Sequence, residues 1–163
     1  MDHQPSNPSE SAEQYYDTNT RSIYLGSSRL AHEHLVAQSQ VVLRLGRILM
    51  KSGASAYRIK ASMARLAKAV GLKEHHAQVT FTEISTSSYT EGNFRTEVAE
   101  QRTMGINAHK IDQLGKFISE LPERITPAEA NAELDRIDSA KPLYTRWMLA
   151  LASAVACAGF AFL

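Results

Sequence analysis

The stretch AQVTFTEISTSSYTEGNFRTEVAE, residues 77–100, breaks the helical rhythm that governs the chain on either side of it. Val79, Thr80, Phe81, Thr82 and Ile84 are β-prone, as are Phe94, Thr96 and Val98, and Glu91-Gly92-Asn93 between the two groups is a turn signal. We read two or three antiparallel strands here. The flanks have helical periodicity, so the fold class is α+β. The expected order is a helical hairpin, a small antiparallel sheet, two further helices and a C-terminal transmembrane helix.

On the N-terminal side, a first helix is expected from about Glu33 to Ser52, stopping at Gly53, a residue suited to the left-handed position after a helix. Val41, Val42, Leu45, Ile48 and Leu49 form a broad apolar face, leaving only a narrow one for Arg44, Arg47 and Lys51. Such a helix must be mostly covered. Ser55 is a suitable N-cap for a second helix ending at Gly71, with Ile59, Met63, Leu66 and Val70 in one stripe. Residues 1–32, rich in Ser, Asn and Gln with Pro5 and Pro8, read as a disordered polar tail.

On the C-terminal side, a third helix is expected over about Asn107–Leu121, with Ile111, Leu114, Ile118 and Leu121 inward. A fourth opens on Thr126 as N-cap, Pro127 at the first helical position and Glu129 completing a capping box. Lys141-Pro142 breaks it. Residues 33–140 thus form one α+β domain.

Residues 147–163, WMLALASAVACAGFAFL, carry no charge. A membrane helix needs about 20 residues; started at Leu143, this segment reaches about 31 Å if Arg146 snorkels toward headgroups. Tyr144 and Trp147 suit the interfacial layer. Ala150, Ala154 and Ala158 recur every four residues, which lets another helix approach closely. The expectation is an incomplete transmembrane helix over 143–163. Lys141 and Arg146, ahead of the uncharged run that starts at Trp147, would place the preceding domain on the cytoplasmic side.

Composition narrows the function. Eighteen basic against seventeen acidic residues argue against a dedicated nucleic-acid binder, and a single cysteine excludes a disulfide framework and paired-cysteine zinc sites. No catalytic, cofactor-binding or metal-binding residue is assigned. Gly53-Ala54-Ser55-Ala56-Tyr57 lacks the last glycine of a nucleophile elbow, and its serine is explained by capping. His75-His76 read as exposed loop histidines. Thr80, Thr82, Ser85, Thr86, Ser87, Ser88 and Thr90 read as the solvent face of a sheet, or as hydroxyls for a small polar ligand. Between Glu33 and Glu74 lie eight basic residues and no acid, whereas six acids against two arginines span Glu120–Asp138. Mutual neutralisation accounts for this layout; contact with anionic lipid headgroups is the functional alternative.

Several stretches in order resemble one family. Leu49-Met50-Lys51-Ser52-Gly53-Ala54, Tyr57-Arg58-Ile59, Ala69-Val70-Gly71-Leu72, Val79-Thr80-Phe81-Thr82, Gly92, Met104-Gly105-Ile106-Asn107-Ala108-His109 and Pro142-Leu143-Tyr144-Thr145-Arg146-Trp147 are similar to the N-terminal domain of the threonine/serine exporter family, over about residues 41–163. The resemblance implies a domain or subunit of a bacterial inner-membrane exporter of threonine, serine or related small organic acids, and not an enzyme. It implies as partners further membrane helices of the same full-length chain or of a second subunit, the lipid bilayer and a small-molecule substrate. It also implies an oligomer and no nucleic acid. The candidates for substrate contact are Arg58, Thr80, Thr82, Asn107 and His109. Two rival readings stand beside it: a membrane-tethered hydrolase-like enzyme, and a non-catalytic membrane-associated interaction module.

Overall fold

The computed structural model describes residues 8–90, 92–140 and 146–161, with side chains for most of them from Arg29 onward. Helix α1 spans Pro8–Lys51 and α2 Ala56–Ala69. Three strands follow, β1 (Glu74–Val79), β2 (Glu83–Thr90) and β3 (Asn93–Glu100), then α3 (Ala108–Ser119), α4 (Pro127–Ser139) and α5 (Arg146–Ala161). The α+β class is as expected.

The α1–α2 hairpin is the middle layer. One side of it carries the antiparallel sheet, in the order β1-β2-β3, and the other carries α3 and α4. Helix α1 touches β2, β3, α3 and α4, which is why its apolar residues run around so much of its circumference. Leu35, Val41, Val42, Leu45, Leu49 and Met50 of α1 are buried with Ile59, Met63 and Leu66 of α2, Ile84 of β2, Leu114 and Ile118 of α3, and Ala130, Leu134 and Ile137 of α4. Gly46 lets the layers close: a Cβ there would stand 2.6 Å from Met63 Sδ and 3.2 Å from Ile84 Cδ1.

Element ends follow the local chemistry. The capping box of α4 is complete: Glu129 N donates to Thr126 Oγ1 at 3.2 Å, and Thr126 N donates to Glu129 Oε2 at 2.9 Å. The bonds that Thr126 N and Thr126 Oγ1 donate to Oε2 hold the exposed Glu129 carboxyl below its ordinary pKa. At the end of α2, the buried Gln38 amide of α1 donates to Val70 O, meeting one of the carbonyls that a helix end leaves open. Ile125 N donates to Ala69 O at 3.0 Å, tying the α3–α4 loop to the same point.

Four expectations are corrected or bounded. Helix α1 starts at Pro8, well before Glu33; among its side chains described from Arg29 onward, Leu35 is the first that is buried, so the apolar period marked a packed part of the helix and not its start. Residues 1–7 lie outside those described. Strand pairing begins at Glu74, so His75 and His76 belong to β1 and not to a loop. The hydroxyl-rich run does not form one solvent face: alternation sends Thr86 and Ser88 inward, where they are buried, and leaves Ser87 exposed. Among the described residues, no helix is long and apolar enough to cross a membrane. Helix α5 has sixteen residues, and residues 143–145, 162 and 163 of the expected span lie outside those described. The side chains described on α5, Trp147, Leu151, Val155 and Cys157 among them, are exposed.

Candidate functional site

The inner face of the sheet carries polar groups into the interior. Register aligns His75 of β1, Ser88 of β2 and Arg95 of β3 in one row, with Ala77, Thr86 and Glu97 in the next. His75 Nδ1 lies 3.1 Å from Ser88 Oγ, and Arg95 Nη2 donates to Glu97 Oε1 at 2.8 Å. The Arg95 guanidinium is held more firmly protonated by that hydrogen bond. A serine–histidine contact invites a catalytic reading, but Ser88 is 1% exposed and no substrate can reach it. The contact instead pairs two groups that the pleat forces inward, while His75 Nε2, Arg95 Nε and Glu97 Oε2 stay buried without a hydrogen-bond partner among the described residues.

Burial lowers the pKa of His75, and the neighbouring His76 lowers it further. The folded chain therefore resists a proton that the unfolded chain accepts near the ordinary value of 6.5. Stability should fall as pH drops through about 6.5 and level off once pH is below the folded value. Thermal unfolding at pH 7.5 and 5.5 measures the loss, and His75→Gln should remove part of it. An unchanged slope in that variant would show that His75 is not the group responsible.

The polar surface is organised at one end, where the α1–α2 joint meets the linker from β3 to α3. Gly105 N donates to Lys51 O and Asn107 N to Ser52 O, both at 3.0 Å. The end of α4 arrives beside them. Lys110 Nζ of α3 donates to Asp138 Oδ1 at 2.6 Å, while Arg44 of α1 bonds Asn131 Oδ1 at 2.8 Å and pairs with Asp135. The Lys110 hydrogen bond holds the Asp138 carboxyl below the ordinary range against partial burial, and Lys51 and Arg44 add to the effect. A pocket of about 270 Å³ opens here, lined by Arg44, Arg47, Ile48, Lys51, Gln101 and Asp138.

The basic hairpin and acidic helix thus neutralise each other in part, through α1 and α4. The basic residues of α2 take no share: among the described residues, no ion pair involves Arg58, Lys60 or Lys68.

The five substrate-contact candidates are dispersed. Arg58 is exposed on the first turn of α2. Thr80 closes the β1–β2 turn, where its Oγ1 accepts from Glu83 N at 3.1 Å, and Thr82 lies exposed in the same turn with its carbonyl accepting from Gln101 N at 2.7 Å. Asn107 caps α3, with Oδ1 accepting from Lys110 N at 3.0 Å. His109 lines a groove of about 530 Å³ between α3 and α4, with Gln113, Lys116, Phe117, Glu133 and Arg136 among its walls; the other four candidates are not in it. Ser55 is the N-cap of α2, which accounts for the Gly-Ala-Ser joint. Sequence reasoning passed over Gln101, whose place depends on the fold of the linker. It did single out the Arg44, Arg47 and Lys51 stripe and the acidic run containing Asp138.

The architecture defines an α+β domain of helical hairpin, sheet and helix pair, continuing into an exposed apolar helix. The chain belongs to the ThrE family, described as "Putative threonine/serine exporter", with residues 40–163 matched. An uncharacterized protein of Haemophilus influenzae is 23% identical over 136 residues, which cover 82% of this chain and 45% of that protein. The chain therefore spans less than half the length of that curated relative. No solved structure matches.

Proposed function

We propose that this chain is the N-terminal part of a membrane exporter of small hydrophilic metabolites, with threonine, serine and related small organic acids as the substrate class. The observation that carries the reading is the joining of a ThrE-family domain to an apolar helix that carries no charge after Arg146 and exposes Trp147, Leu151 and Val155. Exposed Trp147, Leu151 and Val155 lose contact with water if α5 enters lipid. Arg146 and Trp147 at its start are the residue types found at the headgroup level, and Lys141 and Arg146 favour a cytoplasmic domain.

A translocation pathway needs several helices around a midplane site. The small residues Ala150, Ala154 and Ala158 give α5 a face on which such helices can pack, whether from the same polypeptide or from a second subunit. The hydrolase reading has no support from Ser55, which caps a helix, or from Ser88, which is sealed from solvent.

The test is efflux. Cells loaded with threonine or serine and carrying the complete gene should lower their internal pool faster than cells lacking it. Equal efflux rates would remove these substrates, and the small organic acids would be tried next in the same assay.

A further inference from the structure

We propose that the end of the domain built from the α1–α2 joint, the β3–α3 linker and the C-terminus of α4 docks on an anionic membrane surface. The proposal rests on the reading of α5 as a membrane helix and adds which face of the domain meets lipid, and by what chemistry.

The first observation is charge. Arg44, Arg47 and Lys51 follow one another at helical spacing on the narrow polar face of the packed C-terminal part of α1, and all three line the 270 Å³ pocket. Arg44 is engaged with α4, but Arg47 and Lys51 make no ion pair among the described residues. The carboxylate in the pocket, Asp138, is held by Lys110, which blunts its repulsion of an incoming phosphate. Arg47 and Lys51 are thus available cations beside a cavity large enough for a phosphate group.

The second observation is apolar. Ile106 is 95% exposed, and Met104 and Tyr57 are exposed at the same end. The linker does not leave Ile106 outside by chance of a loose loop. Hydrogen bonds from Gly105 and Asn107 to the carbonyls of Lys51 and Ser52 fix the backbone on both sides of it. Basic side chains beside protruding apolar ones are the combination that binds the headgroup layer, cations to phosphate and apolar tips to the acyl boundary.

The third is the tether. Helix α4 ends at Ser139, and its Asp138 lines the pocket, while α5 begins at Arg146. The connection spans at most about 25 Å when fully extended. With α5 in the bilayer, this end of the domain is confined near the surface, so a modest attraction suffices to dock it.

The experiment uses the full chain carrying Cys157→Ser and Ile106→Cys, labelled at position 106 with an environment-sensitive dye. It is reconstituted in vesicles of phosphatidylcholine alone or mixed with phosphatidylglycerol. Quenching of Trp147 by brominated acyl chains in the same samples reports whether α5 enters lipid. Docking predicts a blue shift of the dye in the mixed vesicles and not in phosphatidylcholine, reversed by high salt. Arg47→Gln and Lys51→Gln should each lower the docked-to-free ratio about fivefold. Quenched Trp147 with a water-like dye in the mixed vesicles overturns the docking and leaves the α5 reading standing. Unquenched Trp147 overturns both. An equal shift in the two vesicle types, or a shift produced by inorganic phosphate without vesicles, also overturns the anionic surface as the partner.

Discussion

Leu45→Ala should lower the unfolding free energy by about 3 kcal/mol or more, within the range for emptying a buried leucine site. Leu45 is fully buried on the helix that lies between the sheet and the α3–α4 pair, so layers on both sides border any cavity left there. Neither can collapse into it without disturbing the other. For a chain of this size the loss corresponds to a fall in melting temperature of roughly 6–12 °C, a large part of the margin by which domains are stable. The informative control is Leu151→Ala. Leu151 is 69% exposed on α5, so the same chemical change should leave the domain's melting temperature where it was. Circular dichroism of the full chain in mild detergent measures both. If Leu151→Ala cost as much as Leu45→Ala, α5 would be part of the domain core and its availability to lipid would be lost.

The parts of this fold that can be read from sequence are those whose cause is local. Thr126, Pro127 and Glu129 announce α4 within four residues, and the capping box forms as read. The apolar stripes of α1 and α2 predict which side chains are buried, because a helix face repeats at a fixed interval. What escapes is set by partners distant in sequence. Arg44 and Asp135 stand 91 residues apart, and charge composition alone could say only that such pairing was available. His75, Thr86 and Ser88 look like exposed polar residues until strand register turns them toward the helices. Alternation was the signal for this: Ile84 is buried, so residues 86 and 88 must face the same way. At the candidate site, the basic stripe of α1 was legible as a periodic pattern. The exposure of Ile106 and the placing of Gln101 were not, because both depend on a linker folding back onto a helix end some 50 residues earlier.

That linker contact gives the second large effect. Gly53 has φ +84°, in the left-handed region where a side chain costs about 1–2 kcal/mol. Gly92, in the β2–β3 turn, has nearly the same angle, φ +83°. Backbone conformation alone therefore predicts similar penalties for alanine at the two positions. The surroundings differ. A Cβ at Gly92 meets nothing within 4 Å, whereas at Gly53 it would lie 2.7 Å from the carbonyl oxygen of Gly105. That oxygen belongs to backbone and cannot rotate away, and the same residue's N–H is bonded to Lys51 O. Gly53→Ala must push the linker off the joint, loosening the bonds from Gly105 and Asn107 together. We expect it to cost about 2–4 kcal/mol, against about 1–2 kcal/mol for Gly92→Ala. Amide exchange should separate the two mechanisms: Gly105 and Asn107 exchange faster in the Gly53 variant and at the wild-type rate in the Gly92 variant. Gly53→Asn tests the steric part again, since asparagine tolerates the left-handed region but still places a Cβ against Gly105. Equal losses at positions 53 and 92 would mean that the linker yields freely. Ile106 would then be held by nothing, and the fixed apolar tip that the docking surface requires would not exist.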